Sequence, residues 1–169
     1  MPPLSIRALA GFVLSVVASN ICLAQSMPTT AGETLSGKPI VLADAVHGHS
    51  AVLVAGFSRE GGNGAGDWAK AIHADPALAN TTVFQISILA GVPGFIRGTI
   101  KSGIKKGVPP ADQDRFVVLT TDEQPWKRYF GVTTENDAYV ALIDAQGNIL
   151  WHAHGPAAQL ETQLKAALR

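Results

Sequence analysis

The sequence predicts an α/β fold, a three-layer α/β/α sandwich around a central mixed sheet, and three observations carry that prediction. The run Ala51-Val52-Leu53-Val54-Ala55-Gly56-Phe57 is apolar on both faces, as a middle strand covered by helices on each side must be. Apolar runs of strand length alternate with stretches of helical periodicity through most of the chain. Near the end, Asp144-Ala145-Gln146-Gly147-Asn148 separates two strand-like runs as a hairpin turn, and one last helical stretch comes after them. Parallel crossovers plus a terminal antiparallel hairpin make the sheet mixed.

The chain opens with Arg7 ahead of an uncharged apolar run from Ala8 to Ala18 and a looser stretch closing on Cys22-Leu23-Ala24. This is the pattern of a secretory signal peptide over 1–24, with Gln25 as the expected new N-terminus. An uncleaved anchor is the alternative, but the run falls short of the roughly 20 apolar residues a bilayer span requires. Ser19-Asn20-Ile21 is a poor approach to Cys22 for lipid attachment. Removing 24 of the 169 residues leaves 145, enough for one well-buried domain. The expected organisation is a signal peptide at 1–24, a flexible tether at 25–36 and a folded domain at 37–169, in a periplasmic or secreted protein.

Charge excludes one large class of partner. The chain carries 13 Lys and Arg against 13 Asp and Glu, and loss of Arg7 leaves 12 against 13. No global field recruits nucleic acid, nor a membrane, so any charged partner must be held by a local patch.

Within the domain, Ser36-Gly37 precedes a short strand, Lys38 to Ala43. The turn His47-Gly48-His49-Ser50 leads into the Ala51 to Phe57 strand, and Gly61 to Gly66 read as a loose connection into a helix. In that helix Trp68, Ala71 and Ile72 share a face until Asp75-Pro76 stops it. Val83 to Leu89 is the next strand. From Phe95 to Lys106, Ile96, Ile100 and Ile104 recur every four residues among Arg97, Lys101, Lys105 and Lys106, a basic amphipathic helix ended by Val108-Pro109-Pro110. Then come strand Phe116 to Leu119, a helix around Trp126 to Phe130, and strands Tyr139 to Ile143 and Ile149 to Ala153. Gly155-Pro156 opens a last helix striped by Leu160, Leu164 and Leu168.

Few residues carry obvious chemistry. His47 with His49, and His152 with His154, form two His-x-His pairs, the second on an expected edge strand. Neither has a carboxylate or thiol at ligand spacing, so no metal and no other cofactor is expected. Gly61-Gly62-Asn63-Gly64-Ala65-Gly66 lacks both the dinucleotide fingerprint and the Lys-Ser/Thr of a phosphate loop. Arg59 and Glu60 read as a solvated pair, and Trp68, Trp126 and Trp151 as packing residues. The cluster Arg97, Lys101, Lys105 and Lys106 is either a solvated face or a local patch for an acidic protein surface or anionic lipid.

Gly37-Lys38-Pro39, the central strand with its glycine-containing loop, Leu119-Thr120-Thr121-Asp122, Tyr129-Phe130-Gly131-Val132 and Leu142-Ile143-Asp144-Ala145-Gln146-Gly147 together resemble the thioredoxin-like superfamily, in its peroxiredoxin and membrane-anchored thioredoxin branch. The resemblance implies a catalytic cysteine in the loop after the central strand, where a helix dipole stabilises a thiolate. Here that loop begins Ser58-Arg59-Glu60-Gly61, and the single cysteine, Cys22, lies in the leader. The resemblance also implies a cis-proline four residues before Leu142, and that position is Ala138, where a trans peptide is expected.

Asn136, Tyr139-Val140, Leu142-Ile143-Asp144, Ile149, Trp151, Gly155 and Glu161 are similar, more narrowly, to the thioredoxin-like assembly factors that chaperone the a subunit of ATP synthase. This similarity implies a non-enzymatic binding or assembly factor for another protein, membrane-embedded or membrane-associated. Its candidate contact residues are Arg97, Lys101, Lys105, Lys106, Asn136, Ala138 and Tyr139, and Ser58, Arg59, Glu60 and Gly61 are a degenerate active-site loop. The rival is a thiol–disulfide oxidoreductase or peroxiredoxin-type enzyme, which requires Cys22 to be retained or another residue, Glu60 first, to act in its place.

Overall fold

The computed structural model describes residues 26–168, so the signal peptide read at 1–24 lies outside the described residues. Seven strands, β1 (Ala31–Thr34), β2 (Pro39–Val41), β3 (Ala51–Gly56), β4 (Val83–Ile88), β5 (Phe116–Leu119), β6 (Ala138–Ile143) and β7 (Ile149–His154), make one sheet in the order β2-β1-β5-β4-β3-β6-β7. β3, β4 and β5 run parallel, while β6, β7 and the β1–β2 pair join antiparallel. The helices are α1 (Leu42–Val46), α2 (Arg59–Ala74), α3 (Gly94–Gly107), α4 (Glu123–Phe130) and α5 (Ala157–Ala167), with a 3-10 turn at Pro110–Arg115. No helix among the described residues is long and apolar enough to cross a membrane.

Alternation of side chains across the sheet decides which helix covers which face. Leu53, Ala55, Phe57, Ile86, Val117 and Leu119 pack with Leu42 and Val46 of α1 and with Trp126, Tyr129 and Phe130 of α4. On the opposite face Val52, Val54, Val140 and Leu142 meet Ala65, Trp68 and Ile72 of α2 and Leu164 of α5. Phe116 and Val118 also point that way, and with Leu35 and Leu89 they receive Ile100 and Ile104 of α3. α1 and α4 thus lie on one side, and α2, α3 and α5 on the other. β3, β5 and β6 are buried at every position, which is why they read as continuous apolar runs.

The segment expected to be a tether is part of the sheet. β1 lies between β2 and β5 with Glu33 opposite Val118, and the amide of Leu35 donates to the carbonyl of Phe116 at 3.0 Å. Thr34 and Leu35 are buried, and Thr30 donates to Asp122 Oδ2 at 2.9 Å while accepting from Trp126 Nε1 at 3.2 Å. Ala31-Gly32-Glu33-Thr34 has none of the apolar alternation of a strand because its place is fixed by backbone pairing and a close fit. A Cβ on Gly32 would fall 2.6 Å from Leu119 Cδ2.

Three smaller expectations also change. The strand read at 38–43 is only Pro39–Val41, after which the chain turns into α1. β4, not β3, stands at the sheet's midpoint, with β3 beside it. The basic helix extends to Gly94–Gly107 and contains no buried residue, and Ile96 in its expected apolar stripe is 38% exposed.

Candidate functional site

The residues read as a loose glycine loop are helical. Ser58, extended and half-buried, caps α2 by accepting from the amide of Gly61 at 3.1 Å, and helix runs unbroken from Arg59 to Ala74. Glycine is used at Gly56, Gly61 and Gly64 for close approach rather than for flexibility. A Cβ on Gly61 would meet the carbonyl oxygens of Asp137 at 2.7 Å and Glu135 at 2.8 Å. One on Gly56 would strike the Gly62 backbone at 2.5 Å, and one on Gly64 would press on Ala138 Cβ at 3.1 Å. The first turn of α2 is therefore seated on the 135–138 segment that leads into β6.

That segment is itself held from several sides. Gly131, at φ 65°, ends α4, and the amide of Val132 donates to Lys127 O at 2.8 Å. Tyr139 Oη accepts from the amides of Thr133 and Thr134, both at 2.9 Å, and donates to the Thr134 carbonyl at 3.1 Å. Lys127 pairs with Glu123 on its own helix and with Glu135, and these carboxylates raise its ammonium above the usual lysine value. Asp137 bonds His154 Nδ1 at 2.7 Å, and the His154 ring stacks on Tyr139 at a centroid distance of 5.2 Å.

The candidate residues separate into committed and free. Ser58 is a cap and Gly61 is buried, while Arg59 and Glu60 are exposed. Ala138 and Tyr139, expected among the contact residues for a partner, are 3% and 1% exposed. Ala138 pairs with Gly56 of β3 and its carbonyl accepts from the amide of Gly155, so its strand is flanked on both sides. The described residues contain no cis peptide bond. Of Asn136, Ala138 and Tyr139, only Asn136 is exposed. It lies at the rim of a depression of about 500 Å³ between α2 and α5, whose lining includes Gly64, Asp67, Asp137, Ala138 and Glu161.

The basic cluster divides in the same way. Arg97 Nε donates to the Val92 carbonyl at 2.7 Å and Nη2 to that of Ala90 at 3.0 Å, so the guanidinium fastens the β4–α3 connection. Lys101 pairs with Glu33 of β1. These two residues flank a second depression, about 420 Å³, between β1 and α3. Lys105 and Lys106 are exposed and form no ion pair among the described residues. The sequence did not disclose the division, since carbonyl acceptors and the partner on β1 are tertiary neighbours.

His47 and His49 lie in the turn between α1 and β3, and His152 and His154 project from one face of edge strand β7. No three His, Cys, Asp or Glu side chains converge on a common centre among the described residues.

The arrangement of a parallel β3–β4 core, the antiparallel β6–β7 hairpin and a long helix launched from the end of β3 is a thioredoxin-like fold. Solved structures agree. BsSco, a member of the Sco family of cytochrome c oxidase assembly proteins, superposes with a TM-score of 0.57 at 15% identity, over 86% of this chain and 94% of that one. A thiol:disulfide interchange protein of the thioredoxin family from Chlorobium tepidum TLS gives 0.52 at 16%, over 86% and 97%. Yeast Sco1 with copper bound gives 0.54 at 11%, over 85% and 93%. At such identities the likeness is one of fold. No protein-family model matches the chain, and no curated protein matches it in sequence. The structural neighbours share the thioredoxin-like fold and do not carry the narrower resemblance to ATP synthase assembly factors.

Proposed function

We propose that this chain is a thioredoxin-like protein that performs no thiol chemistry and serves as a binding or assembly factor for another protein, outside the cytoplasm. The observation that supports the reading is the contact between Gly61 and the Asp137 carbonyl. Position 58 is occupied by a cap and position 61 has no room for a side chain, so neither end of a Cys-x-x-Cys pair has a counterpart here. What the fold retains beside that helix start is the open depression with Asn136 at its rim. BsSco, one of the neighbours, belongs to a family of cytochrome c oxidase assembly proteins, and an assembly role with a membrane protein as client is in keeping with that company.

Purified protein should neither reduce insulin disulfides nor consume hydrogen peroxide above the buffer rate. Affinity capture from the membrane fraction of the native cell should recover one discrete client, lost when Asn136→Arg fills the depression. Turnover that survives removal of contaminating enzymes overturns the reading, and its loss in Glu60→Gln or in Cys22→Ser would show which residue carries it.

A further inference from the structure

α3 presents an outward face that the rest of the molecule does not explain. Phe95, Thr99, Ser102 and Lys106 succeed one another at four-, three- and four-residue spacing, which puts them on one ridge. The inward side is already occupied by Ile100 and Ile104 on the third apolar cluster and by Arg97 and Lys101 in their bonds to the loop and to Glu33. Phe95 is 87% exposed, the most exposed large apolar side chain among the described residues, and Ile96 beside it is 38% exposed. The helix carries four cations and no acid in fourteen residues. Its outward ridge begins on an aromatic ring and ends at Lys106, about 16 Å away along the axis, with the exposed Lys105 on its flank.

An exposed aromatic and unpaired lysines on one helix face form a surface that anionic lipid headgroups complement. The ring enters the interfacial zone while ammonium groups remain at the phosphates. We infer that α3 docks this protein on the surface of an anionic bilayer through Phe95, Lys105 and Lys106, independently of whatever client it holds. The contact is shallow and reversible, because one ring and two lysines supply far less than a membrane-spanning helix. Charge complementarity decides for lipid over a second copy of the chain, since two such basic faces repel. Hydroxyls and glycines fill the rest of the ridge in place of the apolar stripe that a helical protein partner needs. Arg97 and Lys101 are not assigned to the contact, because Arg97 is already anchored on the Val92 and Ala90 carbonyls and Lys101 on Glu33.

The test is co-sedimentation of the full chain with vesicles of phosphatidylcholine alone and of phosphatidylcholine mixed with phosphatidylglycerol, at low and moderate salt. All variants share one N-terminus, so any contribution from 1–24 is common to them. Binding to the phosphatidylglycerol vesicles should exceed binding to phosphatidylcholine alone, and the excess should weaken with salt. Lys105→Gln with Lys106→Gln should weaken it about 25-fold, about fivefold for each lysine at the surface. Phe95→Ser should weaken it several-fold on the same vesicles, and circular dichroism should show unchanged folding for both variants. Equal binding to neutral vesicles, indifference to both variants, or no binding at low salt overturns the proposal. So does a Phe95-dependent dimer seen by light scattering, which would make the face an interface between copies. Client capture is read separately, so losing one activity does not remove the other.

Discussion

Trp68 and Gly155 are joined by a hydrogen bond from the indole Nε1 to the carbonyl oxygen at 2.8 Å, which fastens the buried middle of α2 to the turn that launches α5. Gly155 stands at φ 111°, so the carbonyl is presented from a conformation that favours glycine. Trp68→Phe removes the donor and leaves a smaller ring in a fully buried site, and it should cost about 2–3 kcal/mol in urea unfolding. A cost under about half a kcal/mol would mean that the carbonyl finds water and α5 does not depend on α2.

Gly61→Ala should destabilise by about 1–3 kcal/mol, because the methyl has only backbone carbonyls to displace. Gly62→Ala is the control. Nothing lies within 4 Å of its Cβ position, so the change should stabilise by about 0.5–1 kcal/mol through helix propensity. Ser58→Cys with Gly61→Cys should resemble Gly61→Ala in stability and show no insulin reductase activity. Full redox activity in the folded double variant would refute the packing argument.

The two halves of the basic cluster should behave differently. Arg97→Gln strips two carbonyls of a charged donor and should cost about 1–3 kcal/mol. Lys105→Gln and Lys106→Gln should each change stability by no more than about 0.5 kcal/mol. Thermal melts of the three variants side by side measure the contrast.

Stability should fall at both ends of the pH scale, for opposite reasons. Lys165 lowers the Asp75 carboxyl, Lys38 lowers that of Asp114, and the Asn148 side chain, then its amide, lowers that of Asp144. Depressed folded values give stability that is present above about pH 4 and lost as the pH drops through them. Burial, with Asp144 secondary, pushes the Tyr129 hydroxyl up, and Glu123 and then Glu135 raise Lys127. Raised folded values give stability that is complete below about pH 10 and is lost as the pH climbs beyond it. Tyr129→Phe loses the bond to the Gly147 carbonyl and should cost about 1 kcal/mol at neutral pH, yet flatten the decline between about pH 9 and 11. An unchanged alkaline slope would remove Tyr129 from the account.

A chain beginning at Gly37 should fail to fold or should aggregate. It lacks β1 and Leu35, uncovers the edge of β5 and leaves Trp126 without its hydrogen-bond acceptor Thr30. A soluble, cooperatively melting fragment would show that the N-terminal hairpin is an accessory.

Much of the fold is legible because its strands are buried on two faces and announce themselves as apolar runs. The hairpin at 144–148 is legible from its turn chemistry, with Asp144 accepting from the amides of Gln146 and Asn148. The beginning of α2 is not, since three glycines in four residues suggest a loop. Yet Gly61, Ala65, Trp68 and Ile72 are buried at spacings of four, three and four, and Ser58 is three residues ahead as a cap. That signal is present and outweighed by composition. β1 leaves no such trace, because its polar residues are held by backbone pairing with a strand far along the chain. At the candidate site the sequence gathers the right neighbourhood around Asn136. It does not foretell that Ala138 and Tyr139 are enclosed, which depends on β7 lying outside β6.

The place of β1 also sets an order of events. Thr30 and Trp126 are hydrogen-bonded across 96 positions, and β1 docks on β5, a strand from the later part of the chain. Whenever the polypeptide emerges N-terminus first, from a ribosome or a translocation pore, the Ala31–Val41 hairpin must wait without its main neighbour until β5 and α4 have emerged. During that interval β1 offers bare backbone donors and acceptors along the edge that β5 will cover, so its composition of Ala31, Gly32, Glu33 and Thr34, without Val or Ile, protects the nascent chain from pairing with the wrong strand.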